Sequence, residues 1–280
     1  MIRKLLLAGA AAAFAASGAL AADIETPPES NAGFFGYVEG GYIFKTNSNV
    51  KEFESTSDEE GVDEARTGDG WDGSLKLGYR FDNNVDIAVG GRYFDQSSGK
   101  RNDDVYEWQN TDGQYWSGDI EVGYSYFMDN SVIRPFVGVK YQDWKSEFTD
   151  NEGTPIYTAT NKSWGVGPQI GFDGAVGISD VLRLFGGADA SVLFGKIKAE
   201  TDVDEYFDNK SDSRTFWTAG AHLGLAWAIT PALELGAGYK VEWLDGINYA
   251  TFSDDDDGEP DGRGGELIHG PFGRLSFGFP

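Results

Sequence analysis

Cysteine is absent from the 280 residues, so no disulfide braces this chain and no thiol is available as a nucleophile or metal ligand. The two histidines, His222 and His269, leave little material for proton transfer or an imidazole-based metal site. No G-x-S-x-G, H-E-x-x-H or phosphate-binding glycine loop is present, and no enzyme activity is expected. Basic residues are scarce: 22 Lys and Arg against 46 Asp and Glu give a net charge of −24, a poor surface for nucleic acid. Beyond residues 5–16, no apolar run approaches the roughly 18 residues of a membrane-crossing helix.

What the chain has instead is alternation. Residues 71–94 read WDGSLKLGYRFDNNVDIAVGGRYF, two period-two runs joined by a short polar turn. Trp71, Gly73, Leu75, Leu77, Tyr79 and Phe81 share one face, while Asp72, Ser74, Lys76, Gly78 and Arg80 share the other, because successive side chains of a strand point opposite ways. Ten strands are expected on this basis, at 34–44, 71–81, 84–94, 115–127, 131–144, 162–174, 180–197, 215–229, 231–243 and 267–279. Their connections alternate between one to four residues and long polar stretches at 45–70, 95–114, 145–161, 198–214 and 244–266. That rhythm predicts an all-β fold: a closed antiparallel transmembrane barrel of about ten strands, with short periplasmic turns and long extracellular loops. A soluble sandwich has shorter strands and less regular turns. Lipid tolerates no open sheet edge, so the last strand must close against the first.

Residues 1–21 have the layout of a secretory signal: Arg3 and Lys4, an apolar core, and Ala19-Leu20-Ala21 as a cleavage site. A short periplasmic segment is expected at 22–33 and the barrel at 34–280, in the outer membrane of a Gram-negative cell. Outward positions include Val137, Val139, Leu184, Val192, Leu223, Leu225 and Leu235, with Tyr93, Trp116, Trp144, Trp164, Trp227 and Trp243 expected at the headgroup level.

The same alternation turns Glu39, Lys76, Arg80, Asp86, Arg92, Asp119, Glu121, Arg134, Lys140, Asp173, Arg183, Asp189, Glu234, Lys240, Glu242 and Arg274 inward. Such a set must be either wet or heavily ion-paired. A wet lumen makes a narrow passage, whose candidate lining is Glu39, Arg80, Asp119, Glu121, Arg134, Lys140, Arg183, Asp189, Glu234, Lys240 and Arg274; a paired lumen makes a plugged, structural or adhesive barrel. Inward glycines such as Gly78, Gly90, Gly123, Gly138 and Gly187 open space in the lumen. Acidic residues in 45–70 and 244–266, including Asp254, Asp255, Asp256 and Asp257, would favour cations at the mouth. The aspartate run lacks the spacing of a dedicated calcium loop, so no cofactor is expected beyond weak divalent-cation binding. Expected partners are outer-membrane lipid and lipopolysaccharide, the barrel-assembly machinery, and ions or small hydrophilic solutes; the oligomeric state is open.

The segments WGVGPQIGFD at 164–173 and LFGGADASVLFG at 184–195, with GFFGYVEGGY at 33–42 and HGPFGRLSFGF at 269–279, resemble the Legionella-type major outer-membrane protein family. The likeness implies a pore-forming, porin-like role. Founding members are associated with disulfide-linked assemblies, which this chain cannot form. Its Phe279-Pro280 ending also departs from the usual terminal aromatic of an outer-membrane assembly signal.

Overall fold

A computed structural model describes residues 32–46, 69–96, 108–150, 157–201, 210–248 and 264–279. The expected signal sequence, most of segment 22–33 and most of the acidic loop residues lie outside these. The strands are β1 (Gly33–Thr46), β2 (Gly70–Arg80), β3 (Val85–Gln96), β4 (Trp108–Tyr124), β5 (Tyr126–Met128), β6 (Ser131–Asp150), β7 (Tyr157–Gly177), β8 (Leu182–Thr201), β9 (Lys210–Thr230), β10 (Leu233–Asn248) and β11 (Gly264–Phe279). Sequence neighbours pair antiparallel except β4 and β5, which both lie against β6, and β1 pairs with β11. The two are one stave interrupted at Ser125. The result is a closed ten-stave barrel, sealed where Phe34 faces Phe279 and Glu39 faces Arg274.

Local chemistry makes the short turns. Asn84 takes a left-handed backbone (φ 63°), which asparagine tolerates better than most residues. Its amide donates to the Phe81 carbonyl at 3.0 Å, and Asn83 Oδ1 accepts from the Val85 amide at 3.1 Å. At the last two short turns the hydroxyls of Ser179 and Thr230 accept from the amides of Leu182 and Ala232.

On the opposite rim the staves run further than expected. β6 to β9 are 20 or 21 residues long, about twice what crosses a bilayer. Within the stretches 145–161 and 198–214, expected as loops, the described residues 145–150, 157–161, 198–201 and 210–214 are strand. Polarity on both faces of these stretches reads as loop, but above the apolar band neither face meets hydrocarbon, while strand pairing still satisfies the backbone.

Outside, Leu75, Val89, Ile120, Val137, Ile170, Leu223 and Leu235 are each at least half exposed and form the lipid band. Aromatics ring it at both ends. Phe34, Tyr79 and Phe81 pack edge-on near the short turns, while Trp116 with Tyr141, and Trp217 with Trp243, pack at the other rim. Trp144 is a correction. It shares the inward phase of Arg134 and Lys140 and is fully buried; an aromatic near a strand end joins the girdle only when its parity points outward.

Candidate functional site

The lumen is layered, and each layer follows from which staves the closure brings together. At the periplasmic mouth Arg183 of β8 meets Glu234 of β10 at 2.9 Å, with the arginine side chain 55% exposed. Arg80 lies over the rings of Phe35 and Phe127 at the same end.

Above this, Arg134 is a hub. Its guanidinium donates to Asp86 at 2.6 Å, Glu121 at 2.9 Å and Asp173 at 3.2 Å, and all but Asp173 are buried. Lys76 reaches the same Glu121 at 2.9 Å. At mid-height Glu39 accepts from Lys240 and Arg274, both at 2.7 Å. Lys240 also meets Asp72, which Arg92 holds from another side at 2.9 Å, and Arg92 and Lys140 converge on Glu242. Charges so far from water are tolerated because each buried cation has at least one carboxylate against it.

Glycine makes room for these side chains. A Cβ at Gly123 would lie 2.6 Å from Arg134 Nε, and one at Gly90 2.5 Å from an Asp119 oxygen. The space that glycines open in the lumen is therefore filled, at these two positions, by the charges facing them.

Between the paired layers is a cavity of about 140 Å³, enough for a few waters. Glu39, Asp119, Glu121, Lys140, Asp189, Lys240 and Arg274 line it, together with Tyr37 and His222. Thus the structure brings seven of the eleven candidate residues to one chamber; Arg80, Arg134, Arg183 and Glu234 lie below it. Asp119 and Asp189 differ from the other carboxylates there. Neither has a cation within ion-pair distance among the described residues; Asp189 accepts only from Gln169, at 3.2 Å, and one Asp119 oxygen is buried without a partner.

Toward the outer end the chemistry changes. Ile43, Phe94, Tyr115, Trp144, Leu244 and Ile268, from β1, β3, β4, β6, β10 and β11, form one buried apolar cluster. Leu193, Ile197 and Phe216 form a second from β8 and β9. Sequence reasoning missed this cap. The signal was available: Phe94, Trp144 and Leu244 each continue the inward phase of a polar residue two positions earlier, Arg92, Gln142 and Glu242. Asp72, absent from the inward set above although its strand phase puts it there, is the other omission.

His222 faces the chamber, whereas His269 lies on the outward phase against the Tyr239 hydroxyl. The described histidines therefore share no site. No cluster of metal-ligating side chains is found among the described residues.

The family model described as Legionella pneumophila major outer membrane protein precursor matches residues 39–260. No curated protein matches the chain. Among solved structures, the outer membrane protease OmpT from Escherichia coli aligns with a TM-score of 0.56 at 9% identity, over 91% of this chain and 99% of that one. A major outer membrane protein from Thermus thermophilus aligns at 0.45 and 13% identity, over 89% and 100% of the two chains. At such identity the first likeness speaks to fold alone, and the second carries no argument. The family match covers most of the chain, and with the closed barrel it places this protein: it belongs to the Legionella major outer membrane protein family and is a β-barrel of the Gram-negative outer membrane.

Proposed function

We propose that the barrel is a narrow, cation-favouring passage for ions or small hydrophilic solutes, closed in this conformation by its apolar cap, and that it is not an enzyme. The observation that carries this reading is the chamber itself. Around it, the buried cations are matched by carboxylates, and Asp119 and Asp189 are left over. A small chamber with uncompensated negative charge favours cations over anions. The cap above it is a hydrophobic constriction of the kind that blocks ions by excluding water. Selectivity on this account comes from two aspartates inside the wall, with the acidic loops adding to it at the mouth.

A second reading is a non-conducting structural or adhesive barrel, and the complete burial of Phe94, Tyr115, Trp144 and Leu244 favours it. Planar-bilayer recording under a salt gradient separates the two. The first reading expects rare steps from the native protein, frequent steps from Trp144→Ala or Leu244→Ala, and a cation-side reversal potential that collapses toward zero in Asp119→Asn/Asp189→Asn. Silence from the truncated-cap variants selects the structural barrel. An anion-side potential refutes the charge argument even if steps are seen.

A further inference from the structure

On the outward face of β6, β7 and β8, above the lipid band, the barrel carries lysines where the rest of its described outward surface carries none. The register sets Lys145 opposite Lys162 and Lys162 opposite Lys198, three ammonium groups in one row on adjacent strands. Like charges directly opposite one another destabilise a sheet, so the row calls for anions.

Part of that need is met within the chain. One step further from the membrane, Glu147 takes Lys145 at 2.9 Å and Glu200 takes Lys162 at 2.7 Å. One step nearer the membrane the row is Asp143, Trp164 and Lys196. Lys196 and Lys198 are exposed and have no ion-pair partner among the described residues. Facing them from β9 are the exposed hydroxyls of Ser213 and Ser211.

Height identifies the anion. Same-face neighbours along a strand are about 6.7 Å apart, so the lysine row stands about one such step above Trp164 and two above Val166 and Phe194 of the apolar surface. Tryptophan marks the membrane interface. The exposed ammonium groups therefore stand beside the headgroups of the outer leaflet, facing lipid and not the lumen. Exposed lysines at this height suit an anionic lipid neighbour.

We propose that this patch binds a phosphate of an anionic glycolipid headgroup in the outer leaflet, with Lys162, Lys196 and Lys198 supplying charge and Ser211 and Ser213 supplying hydroxyl donors. Lysine suits the role because its ammonium meets phosphate as a point charge without a fixed approach angle. This site is independent of whether the lumen conducts.

The test uses the full-length folded protein in micelles doped with bis-phosphorylated lipid A or with the same glycolipid stripped of phosphate, and reads lipid retained by native mass spectrometry. The phosphorylated lipid is expected to be retained and the stripped one lost. Retention should fall about fivefold for each lysine changed to glutamine among Lys162, Lys196 and Lys198. Glu200→Gln should raise retention, and Arg214→Gln, at the same rim but on the lumen phase, should leave it unchanged. Heat-dependent gel mobility confirms that each variant is folded, and the single Lys198→Gln gives the same readout if the triple variant does not fold. Equal retention of the two lipids, or an undiminished Lys198→Gln, overturns the proposal. Inorganic phosphate that binds the patch as tightly as the lipid overturns the assignment to a membrane headgroup.

Discussion

The middle of the lumen and its outer cap are built from the same alternation of the same staves, yet they solve burial in opposite ways. Arg92 and Phe94 are neighbours on one face of β3, as are Glu242 and Leu244 on β10. One residue of each pair is held by ionic partners, the other by packing. In the middle, stability depends on each buried cation having its carboxylate, and removing one member strands the others. In the cap it depends on filled volume. The comparison teaches that a barrel lumen need not be uniform: a few inward positions decide whether a given height is a charged chamber or an apolar seal.

The sharpest way to break the comparison is Arg134→Ala. It leaves Asp86, Glu121 and Asp173 facing one another, and a loss of about 3–5 kcal/mol is expected, read as a large fall in the urea midpoint of the folded barrel. If the variant is nearly as stable as the parent, the middle is wet enough to screen its own charges, and the contrast with the cap disappears. Leu244→Ala tests the other half. It removes a fully buried side chain, and about 2–5 kcal/mol should be lost according to how well the cap collapses. That loss should be insensitive to salt, because no charge is involved.

How much of this was legible in the sequence divides along the same line. Strand phase, closure and the inward set follow from period-two alternation, which lipid enforces, and the ten staves lie where it puts them to within a few residues at the short turns. Beyond the lipid the enforcement stops. Trp164 is outward and exposed while Trp144 is inward and buried, and only parity separates them. The outermost described ends of β6 to β9, residues 145–150, 157–161, 198–201 and 210–214, lose the apolar mark because they stand above the apolar band. Pairings such as Lys240 with Glu39, 201 residues apart in sequence, depend on which staves the closure brings together and at what register. The two unpaired aspartates could be found only by subtraction, once every cation had been assigned.

A smaller effect sharpens the role of glycine. In Gly123→Ala the new methyl must displace the Arg134 guanidinium, which is itself held by three carboxylates and cannot swing away freely. About 1–3 kcal/mol of overpacking cost is expected, measured in the same urea titration. Gly40→Ala is the control: it lies across from Gly273 on β11, nothing lies within 4 Å of its Cβ position, and the midpoint should hardly move. Equal losses at both sites would mean that glycine serves backbone curvature here and not the fit of the arginine.

The smallest effect belongs to the mouth, where Arg183→Gln breaks the pair with Glu234. The geometry, at 2.9 Å, is as close as that of the buried pairs, so distance alone would assign it the same weight. Exposure decides otherwise. An arginine side chain that is 55% exposed keeps much of its hydration, and such pairs contribute about 0–1 kcal/mol that salt screens further. The change should therefore be near the limit of a urea titration at low salt and vanish at high salt, whereas the Arg134→Ala deficit persists at both. A salt-resistant loss at Arg183 would place the mouth with the interior, and the ionic layer would then extend to the end of the barrel.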